Sequence, residues 1–148
     1  MHVLREYRRE DFETLHRIDQ ECFDPELAYS RAELNHYLLR RNAFGIVAEN
    51  KKGSIEGFVL AETDKRGFGH IITIDVLDSA RRTGLGTKLM AAAEQRMRAA
   101  KAGVVMLETA VDNVPALQFY KRLKYSVEKV IPRYYNGERD AFLLSKRL

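Results

Sequence analysis

The sequence predicts a mixed α/β (α+β) fold, with a central, mostly antiparallel sheet, one parallel strand-helix-strand unit and flanking helices. Two pairs of apolar runs support this prediction. The runs 44–49 and 55–63 are separated by Asn50-Lys51-Lys52-Gly53, whose Asn and Gly tolerate the positive φ of a tight reversal between antiparallel strands. The runs 70–77 and 104–109 enclose a helical pattern, and this order implies a right-handed crossover between parallel strands.

The elements before the hairpin follow from hydrophobic spacing and from capping residues. A β-rich run over 2–7 predicts the first strand, and apolar residues near one face predict a helix over 10–22. Phe23-Asp24-Pro25 should end this helix. Ser30-Arg31-Ala32-Glu33 is a capping box, in which the hydroxyl and the carboxylate each accept a free backbone N–H, so a second helix should begin there.

The elements after the hairpin complete the sheet. Asp75 is a polar interruption within the third strand, and a bulge or a nearby ligand would explain it. An apolar stripe at helical spacing predicts a helix over 85–102, ended by Gly103. Three elements should follow: a short helix capped by Asp112-Asn113, a strand near 125–131 and a strand near 139–145.

Length and composition favour one domain over residues 1–148. A chain of 148 residues that is 45% hydrophobic can close one core without disulfides or metal. Cys22 is the only cysteine, which excludes an intramolecular disulfide and a thiolate zinc site and fits a reducing cytoplasm. No stretch approaches the roughly 18 apolar residues of a membrane span, so we expect a soluble, cytoplasmic protein without a membrane partner.

The charge balance is mildly basic. The chain has 25 Lys and Arg against 21 Asp and Glu, a net charge of +4. This excess suits an anionic small ligand or a ribosomal neighbourhood. It is too weak to predict direct nucleic-acid binding.

The most informative segment is Arg81-Arg82-Thr83-Gly84-Leu85-Gly86-Thr87, which joins a strand to the amino end of a helix. Its glycines let the backbone approach phosphate oxygens, and the helix dipole favours negative charge. Arg81, Arg82 and Lys88 would add counter-charge. A pyrophosphate is the natural ligand of such a loop. The alternative is a tight loop with surface arginines, because short glycine patterns recur by chance.

This segment resembles the acetyl-CoA signature of the GCN5-related N-acetyltransferases: ArgxxGlyxGly after an apolar strand, with a following Asn and Tyr. The order of elements matches that family over nearly the whole chain. The Rossmann and P-loop patterns fail, because the last Gly of one and the Gly-Lys-Ser/Thr of the other are absent. The resemblance implies an enzyme that transfers acetyl directly from acetyl-CoA to an amine and uses no metal.

The resemblance also implies the cofactor contacts. The backbone amides of residues 82–87 would hold the CoA pyrophosphate. Ile74, Asp75 and Val76, around a bulge, would pair with the pantetheine arm like an added strand, with Asp75 facing the cofactor edge or solvent and not the core. Asn113 matches an asparagine that contacts the pantetheine, and its alternative role is simply to cap a helix.

Acetyl transfer needs a base for the amine, a donor for the developing oxyanion and an acid for the thiolate. Tyr120 matches the general acid of the family, with a core tyrosine as the alternative. Glu108 matches the base of ribosomal-protein acetylating members, with a structural hydrogen bond to backbone as the alternative. His70 is a second candidate proton acceptor, or else a surface residue. The main-chain N–H of Val76 is the predicted oxyanion donor.

Two further segments resemble the ribosomal-protein alanine (RimI-like) and other N-terminal acetyltransferases. They are Cys22-Phe23-Asp24-Pro25 with Tyr29-Ser30, and Arg133-Tyr134-Tyr135-Asn136-Gly137-Glu138 with Asp140-Ala141. The resemblance implies that five residues hold the first residues of an acceptor peptide: Phe23, Pro25, Tyr29, Tyr134 and Tyr135. Alternatively, Tyr134-Tyr135 is only the tip of a hairpin that turns at Asn-Gly.

The sequence departs from the family pattern at two places. Lys124 stands where the family usually has Gly, and Arg139 precedes Asp140-Ala141. Three functions remain open: acetylation of a polypeptide amino terminus, acetylation of a small amine or lysine side chain, and non-catalytic acyl-CoA binding. We predict the first, with a ribosomal protein as one candidate acceptor. Glu108, Tyr120 and Asn113 together speak against the third.

Overall fold

The computed structural model describes all residues, 1–148, and contains one seven-stranded sheet and four α-helices. The strands are β1 (Val3–Glu6), β2 (Ala43–Glu49), β3 (Ile55–Thr63), β4 (Phe68–Val76), β5 (Val104–Ala110), β6 (Ser126–Tyr135) and β7 (Arg139–Arg147). The helices are α1 (Phe12–Cys22), α2 (Arg31–Leu38), α3 (Leu85–Ala99) and α4 (Val114–Arg122). The predicted mixed α/β fold is confirmed.

The sheet has the strand order β1-β2-β3-β4-β5-β7-β6. Only β4 and β5 run parallel, as the crossover predicts, and every other neighbouring pair is antiparallel. These two parallel strands pair only through 68–70 and 104–106, and beyond His70 they separate. The separation opens a cleft at the centre of the sheet, with an unpaired edge of β4 on one side.

Helices cover both faces of the sheet, each burying the apolar stripe that the sequence carries. α1 and α2 bury Leu15, Ile18 and Leu34 against Phe58 and Leu60 of β3. α3 and α4 cover the other face, with a core that includes Leu85, Leu89, Met97 and Tyr120. None of the helices is both long and apolar enough to cross a membrane.

The carboxyl ends of α3 and β6 differ from the prediction. α3 ends at Ala99 instead of residue 102, ahead of Gly103, because Lys101 takes the left-handed conformation (φ 66). Lys124 is also left-handed (φ 77), the conformation in which Lys costs about 1 kcal/mol relative to Gly. β6 extends to Tyr135, so Tyr134 and Tyr135 end a strand, and the chain reverses at Asn136-Gly137, which both have positive φ.

The bulge of β4 lies at Ile72, earlier than predicted. Leu60 pairs with Thr73 and Ala61 pairs with Ile71, which leaves Ile72 as the extra residue. The bulge therefore lies beside the point where β4 and β5 separate, and it does not explain Asp75.

Candidate active site

The open edge of β4 presents unpaired main-chain donors to the cleft. Leu77 N–H donates to the Glu56 carbonyl at 2.9 Å across the β3–β4 ladder. Because backbone groups alternate between the two sides of an antiparallel strand, Ile74 and Val76 direct their N–H groups away from β3. These two groups face the region where β5 no longer pairs.

Asp75 does not face this edge, and the expectation that it lies toward the cofactor or solvent is wrong. Its side chain is 1% exposed, and the Thr73 hydroxyl donates to its Oδ1 at 2.6 Å. Burial, and then the neighbouring Asp19 carboxyl, hold the pKa of Asp75 well above its ordinary value. Polar partners beneath α1 thus accommodate the Asp75 side chain in β4. The N–H and C=O groups of Asp75 point to β3, because backbone groups alternate along the strand and those of Ile74 point away from β3.

The loop over residues 81–87 has the backbone geometry that anion-binding turns use, and we call it the anion-binding loop. Arg82 (φ 64) and Gly84 (φ 81) both take the left-handed conformation, and α3 begins at the next residue. The first-turn N–H groups have no partner within the helix; they belong to Leu85, Gly86 and Thr87. A Cβ on Gly84 would meet no atom within 4 Å, so this side of the loop is open.

The cations of this segment do not all serve the loop. Arg81 turns back to β4, where its Nε donates to the Val76 carbonyl at 3.0 Å and its guanidinium lies 3.5 Å from Asp78. Arg81 thus has partners of its own on β4 and at Asp78, and its role as counter-charge to a phosphate stays a prediction. Arg82 and Lys88 are exposed beside the helix end, and they are the free cations there.

Two loop residues have partners inside the protein. The Thr83 hydroxyl donates to the Ala80 carbonyl at 2.6 Å and closes the turn. A Cβ on Gly86 would lie 3.1 Å from the Phe119 ring, so the second glycine of the motif permits the close packing of α3 on α4. Gly84 is the glycine that the loop conformation itself requires.

Asn113 and Tyr120 lie at the two ends of α4. Asn113 Oδ1 accepts from the Ala116 N–H at 3.2 Å, which caps the helix and leaves its amide NH₂ free. Tyr120 packs edge-on against Tyr125 at 5.9 Å, and burial raises its pKa, with Asp75 adding to the effect. The Tyr120 hydroxyl has no hydrogen-bond partner within the protein. It therefore stays protonated and available.

The structure brings His70 and Glu108 into direct contact. His70 Nε2 lies 2.7 Å from Glu108 Oε1, and both side chains are partly exposed. Their neighbours Ile71 and Leu107 belong to the core on the α3 face, so both polar side chains point to the α1 face. Glu108 bonds a side chain and not neighbouring backbone, in contrast to the structural alternative. No group of three His, Cys, Asp or Glu side chains is arranged to hold a metal ion.

Tyr29 and Tyr37 form one aromatic wall, which we call the α wall. Their ring centroids are 5.4 Å apart, edge to face. The Tyr29 hydroxyl donates to the carbonyl of Ile72, the bulge residue, at 3.4 Å. Burial raises the pKa of Tyr29, and Tyr37 adds to the effect. The α wall therefore lies directly against the strand that borders the cleft.

Tyr134 and Tyr135 at the end of β6 form a second wall, the hairpin wall. Their rings are perpendicular, with centroids 4.9 Å apart. Burial, and then the nearby Glu108 carboxylate, raise the pKa of Tyr134 to about 12. Tyr135 lies close to Glu108 and Tyr120 as well, and burial is the main cause of its raised pKa. The hairpin wall thus lies beside Glu108, the candidate base, and Tyr120, the candidate acid.

The α1–α2 segment that carries Tyr29 is tied to the hairpin that carries Tyr134 and Tyr135. The Arg139 guanidinium lies 3.5 Å from Asp24 and 3.8 Å from Glu26, and Asn136 donates its side-chain amide to the Glu26 carbonyl. A cavity of about 230 Å³ lies at this junction; it is lined by Glu26, Leu27, Tyr135, Asn136, Glu138 and Arg139. Arg139, the residue that departs from the family pattern, is the cation that joins the loops.

Neither Phe23 nor Pro25 belongs to the aromatic pairs that form the two walls. Phe23 is half-buried at the carboxyl end of α1, where its N–H donates to the Asp19 carbonyl at 3.2 Å, and Pro25 is exposed. Asp24 and Glu26 make the contacts with the hairpin instead. Sequence reasoning missed Tyr37 as a wall residue; its position on the predicted second helix, which directly follows Tyr29-Ser30, was the available signal.

Comparisons with known proteins agree with this geometry. The sequence profile of the acetyltransferase (GNAT) family matches residues 3–125. A Methanocaldococcus jannaschii protein named an uncharacterized N-acetyltransferase is 32% identical over 146 residues, which are 98% of this chain and 91% of the relative. A Sulfurisphaera tokodaii N-alpha-acetyltransferase is 40% identical over 81 residues. The aligned residues are 54% of this chain and 48% of the relative, so the match spans about half of each protein.

Solved structures show the same fold. Ard1 from Thermoplasma volcanium has a TM-score of 0.89 at 26% identity, covering 99% of this chain and 97% of that one. The Arabidopsis thaliana NAA60 complex with acetyl-CoA, at 18% identity, has a TM-score of 0.86 and covers 100% and 99% of the two chains. The family match extends across the cleft, the anion-binding loop and α4. The chain therefore belongs to the acetyltransferase (GNAT) family and is an acetyl-CoA-dependent N-acetyltransferase.

Proposed function

We propose that this enzyme acetylates the free amino terminus of a polypeptide. The observation that carries the proposal is the pair of tied tyrosine walls over the His70–Glu108 contact. An extended peptide offers backbone N–H and C=O groups along its length, and tyrosines on both sides provide apolar contact and hydroxyl hydrogen bonds for it. The naming of the S. tokodaii relative as an N-alpha-acetyltransferase supports the same acceptor.

The cofactor contacts are proposed from the open edge of β4 and the loop. The amides of residues 82–87 would hold the pyrophosphate, with Arg82 and Lys88 as counter-charges. The N–H groups of Ile74 and Val76 would pair with the pantetheine arm, and the free amide of Asn113 would bond it from α4. Acetyl-CoA supplies the acetyl group as a thioester, and this path leads that group into the cleft between β4 and β5.

Glu108 is the proposed base. It removes a proton from the acceptor amine as the amine nitrogen bonds to the acetyl carbon, and His70 at 2.7 Å holds the carboxylate in place. The ammonium form of an α-amino group has a pKa of about 8, against about 10.4 for lysine, so more of an amino terminus is already the neutral, attacking amine, and a single carboxylate suits it better. The Val76 N–H donates to the carbonyl oxygen as negative charge develops there.

Tyr120 is the proposed acid. Its hydroxyl gives a proton to the sulfur as the carbon–sulfur bond breaks, so the products are an amide and free CoA thiol. Because burial raises the pKa of Tyr120 and nothing in the protein accepts its proton, the hydroxyl keeps that proton until the thiolate forms. The base and the acid then act on the two sides of the acetyl group.

A comparison of acceptors tests the proposal. Acetyl-CoA is supplied with three acceptors in parallel: a peptide with a free amino terminus and no lysine, its blocked lysine-bearing counterpart, and a polyamine. CoA thiol release should have the highest kcat/KM with the first. The peptides should include ribosomal-protein amino-terminal sequences. Faster release with the blocked peptide or the polyamine would overturn the assignment.

A further inference from the structure

Two buried carboxyl groups, of Asp19 on α1 and Asp75 on β4, each have one satisfied and one unsatisfied oxygen. Their exposed fractions are 0% and 1%. The Tyr29 N–H donates to Asp19 Oδ2 at 2.7 Å, and the Thr73 hydroxyl donates to Asp75 Oδ1 at 2.6 Å. Asp19 Oδ1 and Asp75 Oδ2 have no partner. Unpaired polar atoms at this depth are rare and costly.

α1 packs directly on β4, and the buried Asp19 carboxyl acts on Asp75 both as a hydrogen-bond partner and by its charge. One proton between them gives each unsatisfied oxygen a partner: a protonated Asp75 donates to the Asp19 carboxylate. Burial and the Asp19 carboxyl both raise the pKa of Asp75, in agreement with this arrangement. Two adjacent buried carboxylates without the proton would repel each other.

The surrounding charged and titratable groups do not supply a substitute for that proton. They are Cys22 of α1, Tyr29 of the α1–α2 segment, Arg81 of the anion-binding loop and Tyr120 of α4. The thiol and phenols are neutral, because burial raises the pKa of each. Arg81 is the one cation. Its charge lowers the pKa of Asp75, but less than burial and Asp19 raise it, and its side chain bonds the Val76 carbonyl at 3.0 Å and lies 3.5 Å from Asp78.

The pair joins the α wall to the strand that borders the cleft. Asp19 holds the backbone of Tyr29, and the Tyr29 hydroxyl reaches the Ile72 carbonyl on the same strand as Asp75. Tyr29 is therefore fixed at its backbone through the carboxyl pair and at its hydroxyl through the bulge.

We propose that Asp19 and Asp75 share one proton and act as a positioning pair that fastens the α wall to β4. The positioning role rests on the proposed peptide acceptor, whereas the shared proton does not. Loss of the proton would put two like charges between α1 and β4 and release Tyr29 from the strand.

The shared proton is tested by unfolding wild type and Asp75→Asn in denaturant from pH 5 to 8. The asparagine amide keeps a donor toward Asp19 but does not titrate. The folded wild type retains a proton that the unfolded chain releases above about pH 4, so its unfolding equilibrium constant should rise with pH, relative to the variant, by up to about tenfold per unit. The exposed control Asp78→Asn should track wild type. A pH-independent ratio of wild type to Asp75→Asn would overturn the shared proton.

The positioning role is tested by steady-state kinetics on peptides. Asp19→Ala should raise the peptide KM by about tenfold, as expected when a buried N–H loses its acceptor, and leave the KM for acetyl-CoA unchanged. Asp19→Asn should restore the peptide KM, and Asp75→Asn should keep it near wild type. Equal changes in both KM values, or no rescue by asparagine, would overturn the role. If wild type acetylates no peptide, the proposed acceptor and this role fail together, while the unfolding comparison still decides the shared proton.

Discussion

The anion-binding loop gives a prediction whose size follows from its geometry. Gly84 takes a left-handed conformation (φ 81) at the amino end of α3, with open space where a side chain would project. Gly84→Asp would place a carboxylate beside the amides that we assign to the pyrophosphate. We expect acetyl-CoA binding to weaken strongly while the fold persists.

The magnitude comes from charge repulsion at the helix end. Like charges about 4 Å apart repel by about 4 kcal/mol at the effective dielectric near a protein surface, and solvent in the open loop lowers that value. A loss of about 2–4 kcal/mol corresponds to about a 30-fold to several-hundred-fold rise in the Kd for acetyl-CoA. Most residues in the left-handed conformation lower the folding stability by about 1 kcal/mol relative to Gly. Asp tolerates this conformation better, so Gly84→Asp should lower the stability by less than that.

Gly53→Asp is the matched control. Gly53 has nearly the same φ (82), and a Cβ there also meets nothing within 4 Å, but it lies in the β2–β3 turn. Calorimetric titration with acetyl-CoA should therefore show wild-type affinity for Gly53→Asp and the large loss for Gly84→Asp, with similar unfolding midpoints. Equal affinities of the two variants would refute the assignment of the loop.

Three further predictions concern the catalytic groups and the hairpin wall. Tyr120→Phe should lower kcat by about 10²- to 10⁴-fold with little change in acetyl-CoA affinity, because a proton donor acts in the transition state and the phenyl ring keeps the packing. Tyr125→Phe, which removes a hydroxyl bonded in the core, should lower stability and not kcat, and equal losses of kcat would return Tyr120 to a core role. Glu108→Gln should slow the reaction at neutral pH and flatten its decline on acidification; Glu56→Gln, which disturbs another His–Glu contact of 2.7 Å, should do neither, and an unchanged pH profile for Glu108→Gln would remove it as the base. Tyr134→Ala should raise the peptide KM by about tenfold and leave acetyl-CoA binding intact, a result that an unaltered peptide KM would contradict.

Elements that depend on neighbours in the chain could be predicted from the sequence. The capping box forms as expected, with Glu33 N–H bonded to the Ser30 hydroxyl at 3.1 Å and Ser30 N–H bonded to the Glu33 carboxylate at 2.9 Å. The β2–β3 hairpin turns at Gly53, and the crossover from β4 to β5 is parallel. Each of these outcomes depends on spacing and capping that a short stretch of sequence contains.

The site could be predicted only in part, because its contacts depend on register between distant elements. His70 and Glu108 were each recognisable alone, but their contact follows from the pairing of His70 with Met106 in the last rung before the strands separate. Asp75 appeared to need a ligand or a bulge, because its partner Asp19 lies on another element. Arg139 appeared to be a departure from the family pattern, and its role as the tie to Asp24 appears only when both loops are folded.

The most direct test of the central claim uses one peptide that carries both candidate amines. A peptide with a free amino terminus and an internal lysine is incubated with the enzyme and acetyl-CoA at neutral pH, and tandem mass spectrometry locates the acetyl group in the product. Acetylation of the α-amino group, with the lysine unmodified, is the predicted result. An acetyl group on the lysine side chain, with the amino terminus free, would contradict the proposed acceptor.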